Sequence, residues 1–234
     1  MNLSVIIFYY NEAGALAGLI SKTLDFLPSI SSSFEIILVD DGSTDNSAET
    51  TMSLATKYPS LVRLIRHEKN LGIGMALRTG YYAAKSEYVC AIPGDGQFDV
   101  TQLSVVKPFD NNLYYSFYRI ETNYNLYRRL LTRVNRLFNQ HLLGIYLRDV
   151  NWIKVYRKSQ LELVKPELKS SLIESEICAK LYMCNIMPIE IPSEYLSRTY
   201  GEAKGGSWRT LNKAFAETLK LIWCVKHFKI PKGV

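Results

Sequence analysis

The strongest constraint on this chain is an alternation. Runs of β-branched and aromatic residues at 3–10, 34–39, 61–65 and 88–92 read as buried strands, and each is followed at once by a polar or glycine-bearing cluster. Helical patterns fill the intervals. Asn11-Glu12 opens a helix with Leu16, Leu19, Ile20 and Leu24 along one side. Ser43-Thr44-Asp45 caps a second that runs through Ala55, and a third follows the Asn70–Gly74 turn, from about Met75 to Ala84. This alternation predicts an α/β fold with parallel strands joined by right-handed crossovers. In open sheets of this kind ligands bind beyond the carboxyl ends of the strands. Tyr10 to Glu12, Asp40-Asp41 and Asp95 to Gln97 are therefore expected to converge on one cleft.

Beyond about residue 110 the pattern changes. Residues 114–118 and 150–156 read as strands, and 124–143 as a long basic amphipathic helix with Arg128, Arg129, Arg133 and Arg136. Helices are expected over 171–182 and 211–228, and 186–191 reads as a strand that Pro188 assigns to a sheet edge. Residues 198–207 form a glycine-rich polar loop. No repeat or low-complexity linker divides the chain, so one domain over 1–234 is expected.

Composition bounds the function. The chain is 47% hydrophobic and 21% charged, the balance of a domain with a core rather than a disordered one. Its net charge of +6 fits a phosphorylated substrate, an anionic membrane surface, nucleic acid, or merely a solvated basic face. No apolar run approaches the roughly 18–20 residues that span a bilayer. Cys90, Cys178, Cys184 and Cys224 have no zinc-site spacing, and no signal-peptide pattern opens the sequence; reduced thiols in a cytoplasmic protein are expected. His67, His141 and His227 are scattered and read as structural or exposed.

Acidic groups at strand ends suit a nucleotide sugar. One carboxylate can accept hydrogen bonds from the base and ribose, and a second can hold a divalent cation against the diphosphate. Asp41 fits the first role, and Asp95 with Gln97 the second. The structural alternative for Asp40-Asp41-Gly42-Ser43 is a plain turn with a helix cap.

Tyr10-Asn11-Glu12, Val39-Asp40-Asp41-Gly42-Ser43, Asn70-Leu71-Gly72-Ile73-Gly74 and Gly94-Asp95-Gly96-Gln97 resemble, in order and spacing, glycosyltransferase family 2. The nearest subgroup is that of the dolichol-phosphate mannose synthases and bacterial polyprenyl-phosphate glycosyltransferases. The resemblance implies a GT-A fold, with a Rossmann-like, mainly parallel mixed sheet flanked by helices. It also implies an inverting transfer from a metal-bound nucleotide sugar. Phe8, Tyr10, Glu12 and Asp41 map to nucleotide-sugar contacts, and Asp95 and Gln97 to the Mg²⁺ or Mn²⁺ and the diphosphate. Two positions depart: Phe8 stands where the first loop usually has Pro, and Pro93 where the acidic triplet usually begins with Asp. The second departure removes a family metal ligand or its supporting partner.

The rest of the chain resembles the lipid-phosphate subgroup. Arg128 to Gly144, Leu147 to Val150 and Tyr156 to Lys158 match its acceptor side, although residues 150–154 depart from the pattern after Asp149. Arg119 maps loosely to an acceptor-phosphate contact. Arg198 and Lys204 map to a late loop that binds the diphosphate and closes over the donor. Two cations on a glycine-bearing loop can neutralise a leaving group independently of that resemblance. On this reading residues 1–110 are the donor half, 111–210 the acceptor half and 211–234 a C-terminal amphipathic helix. A phosphate acceptor is already anionic and needs no strong base, whereas a sugar hydroxyl would need one. The expected acceptor is thus a polyprenyl phosphate, at the inner face of the membrane, with peripheral contact or a membrane-spanning partner and no nucleic acid. The alternatives are a saccharide acceptor, or a non-catalytic homologue on account of Pro93.

Overall fold

In this computed structural model, residues 1–120, 126–197 and 208–231 are described. The apolar run at the start forms β1 (Asn2–Tyr9), whose residues 3–7 are buried on both faces. That burial is what a parallel strand covered by helices requires. β2 (Ser33–Asp40) and β4 (Tyr88–Pro93) pair with β1 in parallel on its two sides, and β3 (Val62–Arg66) pairs in parallel with β2. The connecting helices are α1 (Ala13–Phe26), α2 (Ser47–Lys57) and α3 (Ile73–Ala83). α1 and α2 lie against each other, and α3 rests on β1, β2 and β4.

The second half continues the same sheet with a change of direction. β6 (Lys154–Arg157) is antiparallel to both β4 and β5 (Leu113–Ile120), and β7 (Met187–Glu194) runs parallel to β5. The seven strands are ordered β3-β2-β1-β4-β6-β5-β7. β7 is an outermost strand, where Pro188 had placed it. Because β6 reverses between them, β4 and β5 point the same way, and the carboxyl ends of β1, β2, β4, β5 and β7 share one edge.

Four more α-helices follow among the described residues: α4 (Leu126–Leu143), α5 (Lys158–Val164), α6 (Ile173–Met183) and α7 (Trp208–Lys226). α6 is buried along residues 173–181 and is contacted by α4, α5 and α7. Its two buried carboxylates, Glu174 and Glu176, are held by protein partners. Glu174 accepts hydrogen bonds from Tyr81 Oη (2.5 Å) and Tyr156 Oη (2.7 Å), so one carboxylate ties α3 and β6 to α6. Burial and then the Glu174 charge push the Tyr81 hydroxyl well above its ordinary pKa, which keeps it a donor. Glu176 accepts the Glu167 and Leu168 N–H groups and pairs with Lys180 at 2.6 Å.

The strand expected over 150–156 begins only at Lys154. The buried Lys154 ammonium donates to the carbonyls of Asp149, Val150 and Trp152, and that curls the preceding residues into a turn. α5 was not foreseen; its seven residues are too few for a helical period to register. All four cysteines are free and buried. No helix among the described residues is long and apolar enough to cross a membrane.

Candidate active site

The site forms where neighbouring strands end. Phe8 and Tyr9 are consecutive in β1; the Phe8 carbonyl accepts the Gly94 N–H and the Tyr9 carbonyl accepts the Asp41 N–H, both at 2.9 Å. The loops carrying Asp41 and Asp95 therefore hang from adjacent peptide units and leave the sheet at the same place. Pro93 fits here without loss. Gly94 donates toward β1, so the Pro93 nitrogen faces the other side, past Cys90 where pairing with β6 stops.

The first two loops are laced together. Asn11 takes a left-handed backbone (φ 55°), a conformation Asn tolerates, and its side-chain oxygen accepts the Thr44 N–H at 2.8 Å. Ser43 Oγ accepts the Asn11 N–H, Ser47 Oγ the Glu12 N–H, and Asp45 the Ala13 N–H. Burial alone would raise the Asp45 pKa, but hydrogen bonds from Ser47 and Ala13 outweigh it and hold the carboxyl below its ordinary value. Tyr10 is partly exposed and Glu12 is buried beside this lacing.

Asp40 and Asp41 divide their work. Asp40 is fully buried, accepts the Ser43 N–H and faces Arg66 Nε at 3.2 Å, so it shapes the turn. Asp41 accepts the Leu71 N–H at 2.9 Å and the Gly72 N–H at 2.8 Å, and its Oδ1 lies 2.8 Å from His67 Nδ1. His67 Nε2 in turn meets Thr79 Oγ1 at 2.9 Å. One carboxylate thus holds the Asn70–Gly72 turn against the end of β2. Gly42 allows the approach: at φ 74° it lies so close to Lys69 that an added Cβ would be 2.4 Å from the Lys69 carbonyl carbon. His67, read from sequence as structural or exposed, is a working part of this cluster. Its signal was the one already used for the aspartates, a polar residue directly after a strand.

Asp95 is half-buried, and its Oδ1 accepts the Gln97 N–H at 3.1 Å. Gln97 is tied to the chain leaving β7: its carbonyl accepts the Leu196 N–H, and its side-chain amide donates to the Leu196 carbonyl. The residues present suit a hard divalent cation in a limited way. Asp95 and Gln97 offer oxygen donors at a solvent-reachable loop, while Asp40 and Asp41 are already taken up by protein partners. An ion held there would depend on diphosphate oxygens and water for its remaining ligands, a pattern natural to Mg²⁺. The cluster of Glu167, Glu176 and Cys224 could be mistaken for a metal site, but the Lys180 ammonium already occupies it.

Arg119, near the end of β5, reaches the same edge. Its Nε and Nη2 pair with both oxygens of Asp149, at 2.7 and 3.1 Å. The guanidinium also lies over the rings of Trp152 (4.8 Å) and Tyr195 (5.5 Å). Trp152 meets Phe98 edge-on, which links this cluster to the Gln97 loop. Asp149, whose role the sequence left open, is the partner of Arg119, and Lys154 fixes the turn that carries it. Arg198 and Lys204 lie outside the described residues, as do the side chains of Arg128 and Arg129.

Residues 4–161 match the family model for glycosyl transferase family 2. The chain is 28% identical over 214 residues to the undecaprenyl-phosphate 4-deoxy-4-formamido-L-arabinose transferase of Edwardsiella ictaluri, covering 90% of this chain and 65% of that protein. The protein of the same name from Pseudomonas aeruginosa is 27% identical, with 91% and 63% covered. The chain thus spans just under two-thirds of the length of these relatives. Among solved structures, a mannosyltransferase of Pyrobaculum calidifontis in complex with GDP-Man and Mn²⁺ superposes with a TM-score of 0.64 at 17% identity, over 98% of this chain and 65% of that one. Glucosyl-3-phosphoglycerate synthase of Mycobacterium tuberculosis in complex with Mn²⁺, UDP-Glc and phosphoglyceric acid gives 0.67 at 15% identity, over 99% and 81%. These likenesses show the GT-A fold. With more than half its length matched by the family model and its strand-end loops gathered at one edge of that fold, the chain belongs to glycosyl transferase family 2.

Proposed function

We propose that this protein is an inverting glycosyltransferase that moves a sugar from a nucleoside-diphosphate donor to a polyprenyl phosphate. The observation that carries the reading is the shared sheet edge, where the Asp41 and Asp95 loops are bonded to consecutive carbonyls of β1. The names of the sequence relatives, which transfer to undecaprenyl phosphate, support the lipid acceptor.

Phe8, Tyr10, Glu12 and Asp41 take the nucleoside end. A carboxylate has about four lone-pair positions, and the bonds to Leu71, Gly72 and His67 leave Asp41 room for one more donor, such as a base imide. Asp95 and Gln97 take the diphosphate end, with Arg198 and Lys204 closing from the late loop. A bound Mg²⁺ or Mn²⁺ would supply neutralisation of the diphosphate oxygens.

The reaction is one displacement. An acceptor phosphate oxygen bonds to the anomeric carbon from the side opposite the diphosphate, and the bond from that carbon to the diphosphate oxygen breaks with its electron pair. Positioning and stabilisation of the leaving charge carry the rate. Arg119 would draw in the acceptor phosphate, its guanidinium oriented by Asp149. Both oxygens of Asp149 already receive Arg119 and one also accepts the Asn151 N–H, so this carboxylate is engaged in positioning rather than aimed at a sugar hydroxyl. This favours phosphate over a saccharide acceptor. The protein works at the inner, cytoplasmic face of the membrane, by peripheral contact or through a membrane-spanning partner.

The test incubates the full chain with labelled UDP-, GDP- and TDP-sugars, undecaprenyl phosphate and Mg²⁺ or Mn²⁺. One donor is expected to send label into the organic extract. Label appearing only in polymer, or no transfer although a nucleoside diphosphate raises the melting temperature, would refute the lipid reading.

A further inference from the structure

His67 has no step of its own in the proposed transfer, yet its ring is held at both nitrogens. Nδ1 lies 2.8 Å from Asp41 Oδ1, and Nε2 lies 2.9 Å from Thr79 Oγ1. Both acidic and basic partners are nearly enclosed, with the His67 side chain 10% exposed and that of Asp41 4%. An ionised carboxylate only accepts hydrogen bonds, so Nδ1 carries the proton that faces it. Nε2 then accepts the Thr79 hydroxyl proton when the ring is neutral, or donates to that oxygen when the ring is charged. The hold on Oδ1 persists in either state, and Thr79, on α3, fixes the ring.

That hold decides which acceptor positions of Asp41 remain. A carboxylate has about four, shared equally by its oxygens. Oδ1 receives the Leu71 N–H at 2.9 Å as well as His67, and is filled. Oδ2 receives the Gly72 N–H at 2.8 Å and keeps one position. Without His67 each oxygen would keep one, and the carboxylate could receive a pair of donors at once. With His67 it serves a single donor. Nucleobases differ in this respect. Uracil and thymine present one imide N–H between carbonyls. Guanine presents N1–H and its amino group side by side, a pair that calls for both oxygens of a carboxylate. Cytosine presents a lone pair at N3, which a carboxylate repels.

We infer that His67 is a specificity-determining residue: by filling Oδ1 of Asp41 it makes the donor site take a uridine or thymidine diphosphate sugar and discriminate against a guanosine one. The inference rests on the transferase reading, in which Asp41 meets the base. Guanine can give one donor to Oδ2, but its other donor faces an oxygen that is already saturated. A donor enclosed without a partner costs affinity, and a site built for one hydrogen-bonding pattern rejects another on that account. His67 acts through Asp41, as a positioning residue.

The experiment is isothermal titration of the full chain with UDP, TDP, GDP and CDP in the presence of Mg²⁺, for the wild type, His67→Leu and His67→Asn. The wild type is expected to bind UDP or TDP about tenfold more tightly than GDP or CDP, the loss that one unmade hydrogen bond brings. His67→Leu frees a position on Oδ1, so the preference over GDP should fall toward parity while the preference over CDP persists. His67→Asn puts an amide N–H where Nδ1 stood and should keep the wild-type preference. Thr79→Val removes only the outer partner of the ring; it should narrow the preference over GDP by a smaller factor, and it carries the test should His67→Leu not fold. Wild-type binding of GDP as tight as that of UDP and TDP would overturn the inference and leave the transferase reading standing. So would a His67→Leu protein in which UDP and GDP weaken equally, the mark of a merely structural residue. Failure of the wild type to bind any nucleoside diphosphate would refute the transferase reading, and this inference with it.

Discussion

The two halves of the sheet satisfy their polar groups in different ways. In the β1–β4 half, Asn11, Ser43, Ser47, Asp40 and Asp41 bond to backbone N–H groups of neighbouring loops, so this end of the sheet is braced by local chemistry. In the β5–β7 half, long cationic side chains do the bracing. Arg119 is set by Asp149 and two aromatic rings, and Lys154 reaches back to three carbonyls. The helices over that half leave apolar surface unburied. The β1–β4 edge is thus preorganised by its own backbone, while the β5–β7 edge depends on a few buried charges.

Asp95→Asn gives the sharpest separation of chemistry from structure. It is expected to lower turnover by about 100-fold, the magnitude typical of losing one preorganised charge-stabilising group. The melting temperature should hardly move, because Asn can still accept the Gln97 N–H that Asp95 accepts. Unaltered turnover would remove Asp95 from the site and revive the non-catalytic reading that Pro93 invites.

Lys154→Met tests whether the acceptor half depends on one buried cation. Three carbonyls lose their donor, and destabilisation of about 3 kcal/mol is expected in urea unfolding. In the surviving enzyme the acceptor KM should rise while the donor KM holds. An equal rise in both would mean that the two halves are not independent, and the comparison would fail.

Gly42→Ala makes the reciprocal test. A Cβ there would meet the Lys69 backbone and require an L-residue at positive φ. A loss of about 2 kcal/mol is expected, with weakened nucleoside-diphosphate binding in thermal shift. The smallest effect concerns the thiols. All four are buried, and burial raises the pKa of each, with Cys90 and Cys178 enclosed completely. A thiol reagent at pH 8 should leave the native protein unmodified and label it fully in denaturant.

Much of this was legible in advance because it depends on short-range pattern. Residues 3–10 had to be a strand, and its polar successors had to sit at the carboxyl edge, since hydrophobic runs and turn residues act within a few positions of themselves. The edge position of β7 followed from Pro188 alone. The strand expected from 150 failed because a side chain four or five residues ahead, Lys154, outbid the extended backbone for those carbonyls. Propensity has no access to such a contact.

The sequence by itself determined the α/β alternation, the family, and which loops carry Tyr10, Glu12, Asp41, Asp95 and Gln97, because each is written in contiguous residues. Packing across the chain set the rest: Asp41 holds the Asn70–Gly72 turn with His67, Asp149 is the partner of Arg119, and α4 turns Leu143 into the core while leaving Leu130, Val134 and Leu137 exposed. These are relations between residues up to 31 positions apart, or between a helix face and the bulk of the protein. Periodicity reveals that a helix has an apolar face, but the direction that face takes is fixed only when the rest of the chain has packed.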